Sequence, residues 1–209
     1  MFGRFGSQRE SATSQWLIVG LGNPGSQYEY TRHNVGHRVI AGCAHSAGVG
    51  FSKFKTHGVQ ASITHPSGVS LRLATLSSFM NRSGRPVGAM MAFNKIPASN
   101  LIVVHDELDL APGVVRLKFG GGHAGHNGLR DISQVLGTSD FFRVRVGIGR
   151  PEPRRSAADY VLGRFSPDEE ALLPDVISLC CHAIEAIAVQ GLETAQGLIH
   201  PQTGKTQAT

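Results

Sequence analysis

Five polar residues at the ends of apolar segments carry the side chains that hydrolysis of an activated ester requires. They are Asn23, His33, Asn81, Asp106 and Asn127. A histidine with a pKa near neutrality can take a proton from water, and an ionised aspartate can orient its ring and stabilise the imidazolium. Neutral amides can donate hydrogen bonds to an oxyanion. Each residue alone has an ordinary explanation as a turn, a cap or a core histidine, so only the set points to chemistry.

Residues 16 to 36, WLIVGLGNPGSQYEYTRHNVG, position two of these side chains. Branched apolar residues followed by a Gly/Asn/Pro cluster predict a buried strand that leads into a polar loop. Gly20, Gly22 and Gly25 also spell G-x-G-x-x-G, the pattern of a dinucleotide site. Such a site needs a helix at the third glycine and an acid about twenty residues later. No Asp or Glu occurs between positions 30 and 105, which argues against a dinucleotide.

Two pairs of histidines could ligate a metal, but neither has the partners that a metal site requires. His123 and His126 lie in the glycine-rich stretch 120–128, with no Cys or carboxylate nearby at metal spacing. His33 and His37 have the i, i+4 spacing of half a zinc site but lack the intervening Glu of a metalloprotease helix. We therefore expect neither a metal nor another cofactor.

The charge distribution suggests a polyanionic partner. Lys and Arg number 20 against 15 acids, and no acid interrupts the chain between Glu29 and Asp106. Eight cations lie in that stretch, namely Arg32, Arg38, Lys53, Lys55, Arg72, Arg82, Arg85 and Lys95. A basic face of this kind attracts phosphate backbones. The alternative is a solvated surface neutralised by acids from the C-terminal third of the chain.

Strand and helix patterns alternate along the chain and predict an α/β fold in one domain. Strands are expected at 16–19, 57–64, 69–75, 101–104, 114–119 and 142–148, and helices from Val35 to about Gly48 and at 81–96, 125–136 and 166–190. The second and third strands are separated by His65-Pro66-Ser67-Gly68, which predicts a β-hairpin. Ser166-Pro167-Asp168-Glu169 is a strong helix start, and Pro174 predicts a kink. The Pro- and Arg-rich residues 149–159 indicate an exposed loop that could act as a lid.

The two termini and the cysteines give information about the cellular compartment. Residues 1–15 and 199–209 are expected to be flexible tails, and no apolar stretch approaches the length that spans a bilayer. Arg4 and Arg9 allow an organelle-targeting remnant, although Glu10 and the shortness of the segment argue against it. The cysteines, Cys43, Cys180 and Cys181, are odd in number and lack metal spacing, which favours a reducing compartment.

Four segments resemble, in order and approximate spacing, the motifs of bacterial-type peptidyl-tRNA hydrolases: GLGNPGSQYEYTRHNVG, SSFMNRSG, HDELDLAPG and GGGHAGHNGLRD. The resemblance extends from about Leu17 to His200. It implies a single-domain, three-layer α/β/α fold with a mixed twisted sheet and a catalytic domain at 16–198. It also implies hydrolysis of the ester that joins a peptide to the ribose of tRNA, which recycles tRNA from stalled translation.

The same resemblance assigns roles to the candidate residues. His33 would be the general base that activates water, Asp106 would orient it and stabilise its charge, and Asn23 would help to bind the reacting carbonyl. Asn81 and Asn127 would hold the peptide and position water. The cleft would be lined by Tyr28, Met80 and His126. The phosphates of the acceptor stem would be contacted by Arg116, Lys118 and Arg145, and more weakly by Lys53, Lys55 and Arg143.

Some positions depart from the family pattern. Leu76, Ser77 and Ser78 stand where a proline and threonines are usual, and Ala124 replaces a glycine. Neither change touches the catalytic set.

Hydrolysis of this ester needs no metal or covalent intermediate, which agrees with the lack of a G-x-S-x-G nucleophile motif.

The expected partner is peptidyl-tRNA, without DNA, a membrane or a second subunit. We expect a cytoplasmic location, or a mitochondrial or plastid one in a eukaryote. The alternative function is a non-catalytic RNA-binding relative that keeps the fold and the basic face, as in organelle intron-splicing proteins. The complete set of His33, Asp106 and the asparagines favours the enzyme.

Overall fold

A computed structural model describes residues 14–202, so the predictions for most of both tails lie outside the described residues. The first strand begins at Gln15, and the last helix ends at Ile199 with a turn to residue 202. The folded domain therefore extends slightly beyond the limits that the sequence suggested at each end.

The core of the fold is a seven-stranded mixed sheet with the order β2-β3-β4-β1-β5-β7-β6. The strands are β1 Gln15–Gly20, β2 Ser52–Phe54, β3 Gly58–Thr64, β4 Ser70–Leu76, β5 Leu101–Glu107, β6 Val115–Phe119 and β7 Phe142–Gly147. The central strands β4, β1, β5 and β7 run parallel, whereas β2, β3 and β6 pair antiparallel with their neighbours. The predicted mixed sheet is confirmed, including the β3–β4 hairpin.

Helices cover both faces of the sheet. They are α1 Val35–Ser46, α2 Gly84–Asn94, α3 Asn127–Leu136, α4 Ala157–Val161, α5 Pro167–Gln190 and α6 Leu192–Ile199. One apolar core joins α1, α5 and α6 to the sheet, and a second joins α2 and α3 to the opposite face. The central strands β1 and β5 read as continuous apolar runs because helices bury them on both sides. α5 begins with the predicted capping box, in which Ser166 and Glu169 bond each other's backbone.

Several element boundaries differ from the sequence prediction. β5 does not end at residue 104 but continues through Glu107, because its ladder with β7 extends to Gly147. The predicted helix at 81–96 is a 3₁₀ turn, Met80–Arg82, followed by α2. The short elements β2, α4 and α6 were not predicted, since each is too brief for its periodicity to be recognised.

The glycines of the G-x-G-x-x-G stretch serve packing. A Cβ on Gly20 would lie 2.1 Å from the Gly36 carbonyl oxygen, and one on Gly22 would lie 2.7 Å from the His37 ring. Gly25 has φ +105°, a conformation that L side chains rarely adopt. The glycines therefore let α1 lie directly against the end of β1, with the partly buried His37 ring packed over Gly22.

The helix α5 corrects the statement that no segment is long enough to span a bilayer. Its 24 residues contain a window of mean hydropathy 1.7, and 39% of that window is buried. Leu173, Cys180 and Ile184 pack into the core with α1 and the sheet. These contacts show that one face of α5 covers the sheet.

The cysteines also differ from the prediction. Cys43 on α1 and Cys181 on α5 form a disulfide across 138 residues, whereas Cys180 is a buried free thiol. Adjacent cysteines indeed do not pair here, but the sequence could not show that α1 and α5 bring the remote pair together. The cysteine count therefore carries no argument about the compartment.

We expect one thiol to react in denatured, unreduced protein and three after reduction, as measured by thiol titration.

The substitution Cys181→Ala should lower the free energy of unfolding by about 2–4 kcal/mol, because it removes a long-range cross-link. Cys180→Ala, in the same helix turn, is the matched control. It should leave unchanged the number of thiols that reduction of the disulfide releases. Three reactive thiols before reduction would contradict the pairing.

Candidate active site

The structure brings His33, Asp106 and His126 together from three separate segments. His33 lies in the 3₁₀ turn Arg32–Asn34 that precedes α1, Asp106 lies near the end of β5, and His126 caps α3. His33 Nδ1 lies 2.9 Å from each carboxylate oxygen of Asp106. His126 Nε2 lies 3.0 Å from Asp106 Oδ1. Both histidines thus form hydrogen bonds with the buried carboxylate of Asp106.

The hydrogen bonds assign the tautomers of the two rings. His126 Nδ1 accepts the backbone N–H groups of Gly128 and Leu129, so its proton is on Nε2 and is donated to Asp106. His33 donates its Nδ1 proton to the same carboxylate, which leaves Nε2 with a free lone pair. His33 Nε2 is therefore the atom that can accept a proton.

The pKa of His33 lies above its ordinary value. Burial by itself would lower it, but the charge of Asp106 and the hydrogen bond to that carboxylate outweigh the burial. The neighbouring His105 has the opposite balance, because its complete burial lowers the pKa to about 3 and keeps the ring neutral. The environment of His33 therefore favours taking up a proton, whereas that of His105 opposes it.

The cluster of His33, Asp106 and His126 also has the composition of a metal site, since its ligand atoms lie within 4.8 Å of one another. No carboxylate lies near His126 in the sequence at metal spacing, but the fold brings Asp106 of β5 to it. The tautomers nevertheless place a proton between each ring and the carboxylate. The N···O distances of 2.9 and 3.0 Å are those of ordinary hydrogen bonds. The geometry fits a proton network.

Asn23 is held beside His33 with one end of its amide occupied. Its Oδ1 accepts the backbone N–H of Met80 at 2.8 Å, so its Nδ2 is the end that remains to donate. Asn34 fixes the backbone of Asn23 through two reciprocal bonds of 2.8 and 2.9 Å. Asn34 was not among the predicted residues. Its position next to His33 in the Thr31-Arg32-His33-Asn34 segment was the available signal.

Arg32 fixes the turn that carries His33. Its guanidinium donates to the Arg164 carbonyl at 2.5 Å and to Glu169 at 2.6 Å, and it lies 4.3 Å from the centre of the Tyr160 ring. Glu169 belongs to the capping box of α5. The N-terminus of the longest helix therefore anchors the residue beside the proposed base. The sequence offered Arg32 only as one of eight cations.

The cleft around His33 has two connected lobes of about 390 and 510 Å³. Both contain His33 and Asn127, and helix α4 from the predicted lid region lines both. Asn81 and Met80 line the second lobe, whereas Tyr28 contacts its rim through Phe79 at a ring distance of 6.3 Å. Every residue predicted to line the cleft thus lies in it or at its rim.

Four of the predicted phosphate contacts come together on the antiparallel pair β6–β7. Arg116 lies opposite Arg145, and Lys118 lies opposite Arg143. The intervening residues of both strands, such as Val144, face the core below α5, so the cations share the other face. Like charges directly opposite each other are destabilising, so such a face favours an anionic partner. We call these four residues the β6–β7 cation array.

The members of the array differ in accessibility. Arg143 is buried and donates to the carbonyls of Gly121 and Gly122, so it holds the glycine-rich loop instead of offering a phosphate contact. Arg145 pairs with Glu107 at 3.0 Å but stays partly exposed, and Lys118 is exposed. The other two weaker candidates, Lys53 and Lys55, lie at the opposite edge of the sheet, on and after β2.

Comparison with known proteins settles the family. A family model described as peptidyl-tRNA hydrolase matches residues 17–207. The peptidyl-tRNA hydrolase of Nocardia farcinica is 47% identical over 189 residues, covering 90% of this chain and 98% of that protein. The protein of the same name from Mycobacterium tuberculosis strain H37Rv is 45% identical over 184 residues, covering 88% and 96% of the two chains. The chain belongs to the peptidyl-tRNA hydrolase family.

The fold agrees with that assignment. The crystal structure of the peptidyl-tRNA hydrolase from Acinetobacter baumannii superposes with a TM-score of 0.82 at 39% identity. It covers 91% of this chain and 97% of that one. The comparison confirms that the four sequence motifs indicated the right family and that the peptidyl-tRNA hydrolase fold extends over nearly the whole chain. The members of this family are enzymes.

The His33–Asp106 contact should be visible as a raised histidine pKa. We expect a pH titration of the His33 ring carbon resonance by NMR to give a pKa above the ordinary 6.5. In Asp106→Asn the carboxylate charge is lost and burial remains, so the pKa should fall below that value. His65→Ala, at the exposed hairpin turn, is the control and should not move the His33 resonance. An unchanged pKa in Asp106→Asn would show that the carboxylate does not set it.

Proposed function

We propose that this enzyme hydrolyses the ester between peptide and ribose in peptidyl-tRNA, with His33 as the general base. The observation that carries the proposal is the bond from His33 Nδ1 to Asp106, which leaves Nε2 as the acceptor in the cleft. His33 takes a proton from water as the hydroxide adds to the ester carbonyl. The resulting imidazolium then gives that proton to the departing ribose oxygen.

Asn23 is proposed to stabilise the tetrahedral intermediate. Because its Oδ1 is already bound to the Met80 amide, its Nδ2 can donate to the oxyanion without rotating. The reciprocal bonds with Asn34 keep the donor at a fixed position relative to His33, which limits reorganisation during the reaction. Asn81 and Asn127 would contact the peptide and the water at the mouth of the same cleft.

Asp106 is proposed to be the orienting and charge-stabilising residue, with His126 as its second support. His126 cannot take a proton on Nδ1 without losing the backbone bonds that begin α3. His126 therefore serves as a donor to the carboxylate, and His33 is the proposed base. This division explains why two histidines bind one aspartate but only one acts as the base.

The acceptor stem of tRNA is proposed to lie against the β6–β7 cation array. Lys118 and the exposed part of Arg145 offer charge to phosphate oxygens, and Arg116 lies beside them on the same face. Phosphate contacts of this kind contribute affinity that falls with salt. Lys53 and Lys55 would not join them, because five strands separate β2 from β6.

We place the enzyme in the cytoplasm as a monomer whose partner is peptidyl-tRNA, without DNA or a membrane. Its bacterial relatives support that compartment over an organelle. The proposed catalytic residues all come from one chain, so the site needs no second copy. The alternative, a non-catalytic RNA-binding protein, is disfavoured. Binding alone does not require a histidine with a fixed tautomer next to an oriented amide donor.

The enzyme should release N-acetylaminoacyl groups from tRNA and leave the unblocked aminoacyl-tRNA largely intact. His33→Ala should lower kcat by roughly 10²- to 10⁴-fold, since it removes the general base. His65→Ala is the matched control, because that histidine lies on the hairpin outside the cleft. The measurement is release of labelled acyl group. Equal rates for His33→Ala and the wild type would exclude His33 as the base.

Removing the charge of Lys118 should weaken tRNA binding in a salt-dependent manner. In Lys118→Gln, KM should rise, and the slope of log KM against log salt should fall by about 1, the value for one phosphate contact. The value of kcat should stay unchanged, since Lys118 lies outside the cleft lobes. Lys53→Gln at the other edge of the sheet is the control. An equal loss of slope in both variants would mean that the array is not the specific phosphate site.

A further inference from the structure

A basic depression of about 430 Å³ adjoins the cleft on the side away from the β6–β7 cation array. Its walls come from the β2–β3 turn, the segment after β4, the start of α2 and one side of α3. Arg82 lines both this depression and the lobe that contains His33, so the two spaces are continuous. The catalytic roles proposed above do not use it.

The lining of the depression carries two positive charges against one negative charge. Arg82 and Arg85 are exposed, and neither has an ion-pair partner within the described residues 14–202. The acid in the lining, Asp131, accepts the backbone N–H of Gly84 at 2.6 Å and so serves the start of α2. Two guanidinium groups at one depression form a site for a carboxylate or phosphate oxygen.

Hydroxyl groups complete the lining. Thr56, Ser77 and Ser78 contribute them, and the buried Ser78 Oγ has no hydrogen-bond partner in the described part of the chain. A buried polar atom without a partner is costly, and a ligand that accepts its hydrogen bond would remove that cost. The depression therefore offers hydroxyl donors beside its two cations.

The position of the depression decides which part of the substrate reaches it. The array lies on β6 and β7 at one edge of the sheet, and the depression lies beyond β4 towards β2 and β3. His33 and Asn23 lie between them, near the ends of β1 and β5. An ester bound at His33 with its tRNA on the array must direct its peptide towards Arg82 and Arg85.

We propose that this depression is a peptide subsite that selects an acidic side chain, Asp or Glu, upstream of the ester. The inference rests on the proposed binding of tRNA to the array, since that binding sets the direction of the peptide. The carboxylate would bind the guanidinium groups of Arg82 and Arg85, with the hydroxyl of Ser78 as a further donor. The subsite makes hydrolysis depend on peptide sequence without taking part in the chemistry.

The test uses N-acetylated tripeptidyl groups on one tRNA, with Glu or Gln at each peptide position in turn and Ala elsewhere. For at least one position, the wild type should show a KM about two- to five-fold lower for Glu than for Gln, as expected for a partly exposed ion pair. Arg85→Gln should abolish that preference and leave the Gln substrate unaffected. Lys95→Gln, at the other end of α2, loses the same charge and should keep the preference.

The outcomes separate this inference from the proposed function. Hydrolysis of the Gln series without any preference for Glu overturns the subsite alone, as does a preference that survives Arg85→Gln. If Arg85→Gln raises KM equally for all substrates and flattens the salt dependence, the depression binds RNA phosphate and the peptide assignment is wrong. If the wild type hydrolyses none of the substrates, the proposed function itself fails.

Discussion

The buried carboxylate of Asp106 is the constraint on which the arrangement of the site depends. A charge removed from water must be compensated by hydrogen bonds or it destabilises the fold. Burial would raise the pKa of Asp106, but His33 and His126 outweigh it and hold the pKa well below its usual range. The carboxylate therefore stays ionised and fixes the orientation of both rings. The same carboxylate thus positions the proposed base, His33, and the His126 cap at the start of α3.

Close packing of α1 against β1 makes that interaction possible. Gly20 and Gly36 have no side chains, which lets the helix approach the strand until backbone atoms are in contact. The turn that begins α1 then places His33 over the end of β5, where Asp106 lies. Arg32 holds the opposite side of the same turn to the N-terminus of α5. The histidine is thus restrained from two directions, as a preorganised base requires.

Local patterns in the sequence were sufficient for most of the architecture. Branched apolar runs identified β1 and β5, and Ser166-Pro167-Asp168-Glu169 located the start of α5 to the residue. The resemblance supplied the family, and the structure gathers most of the predicted site residues in one cleft. The continuation of β5 through Asp106 escaped prediction, because the pairing partner that extends the strand lies 40 residues away on β7.

The remaining errors share a physical cause, which is contact between residues far apart in the chain. The Cys43–Cys181 disulfide spans 138 residues, and the bond from His126 to Asp106 spans 20. Spacing rules for metals and disulfides examine neighbours in sequence, so they missed both. The resemblance names Arg143 as a weaker candidate for a phosphate contact. Its burial under the glycine-rich loop, which turns it into a structural donor, is a tertiary property.

Two adjacent acids near the end of β5 contact the two proposed parts of the site. Successive residues of a strand point to opposite faces of the sheet, so Asp106 and Glu107 are directed apart. Asp106 binds His33 before α1 and His126 at the start of α3, while Glu107 pairs with Arg145 of the cation array. The ion pair of Glu107 offsets part of the like-charge repulsion between Arg145 and Arg116 without removing the positive face. Asp106 thus orients the proposed base, while Glu107 offsets charge on the proposed phosphate-binding surface.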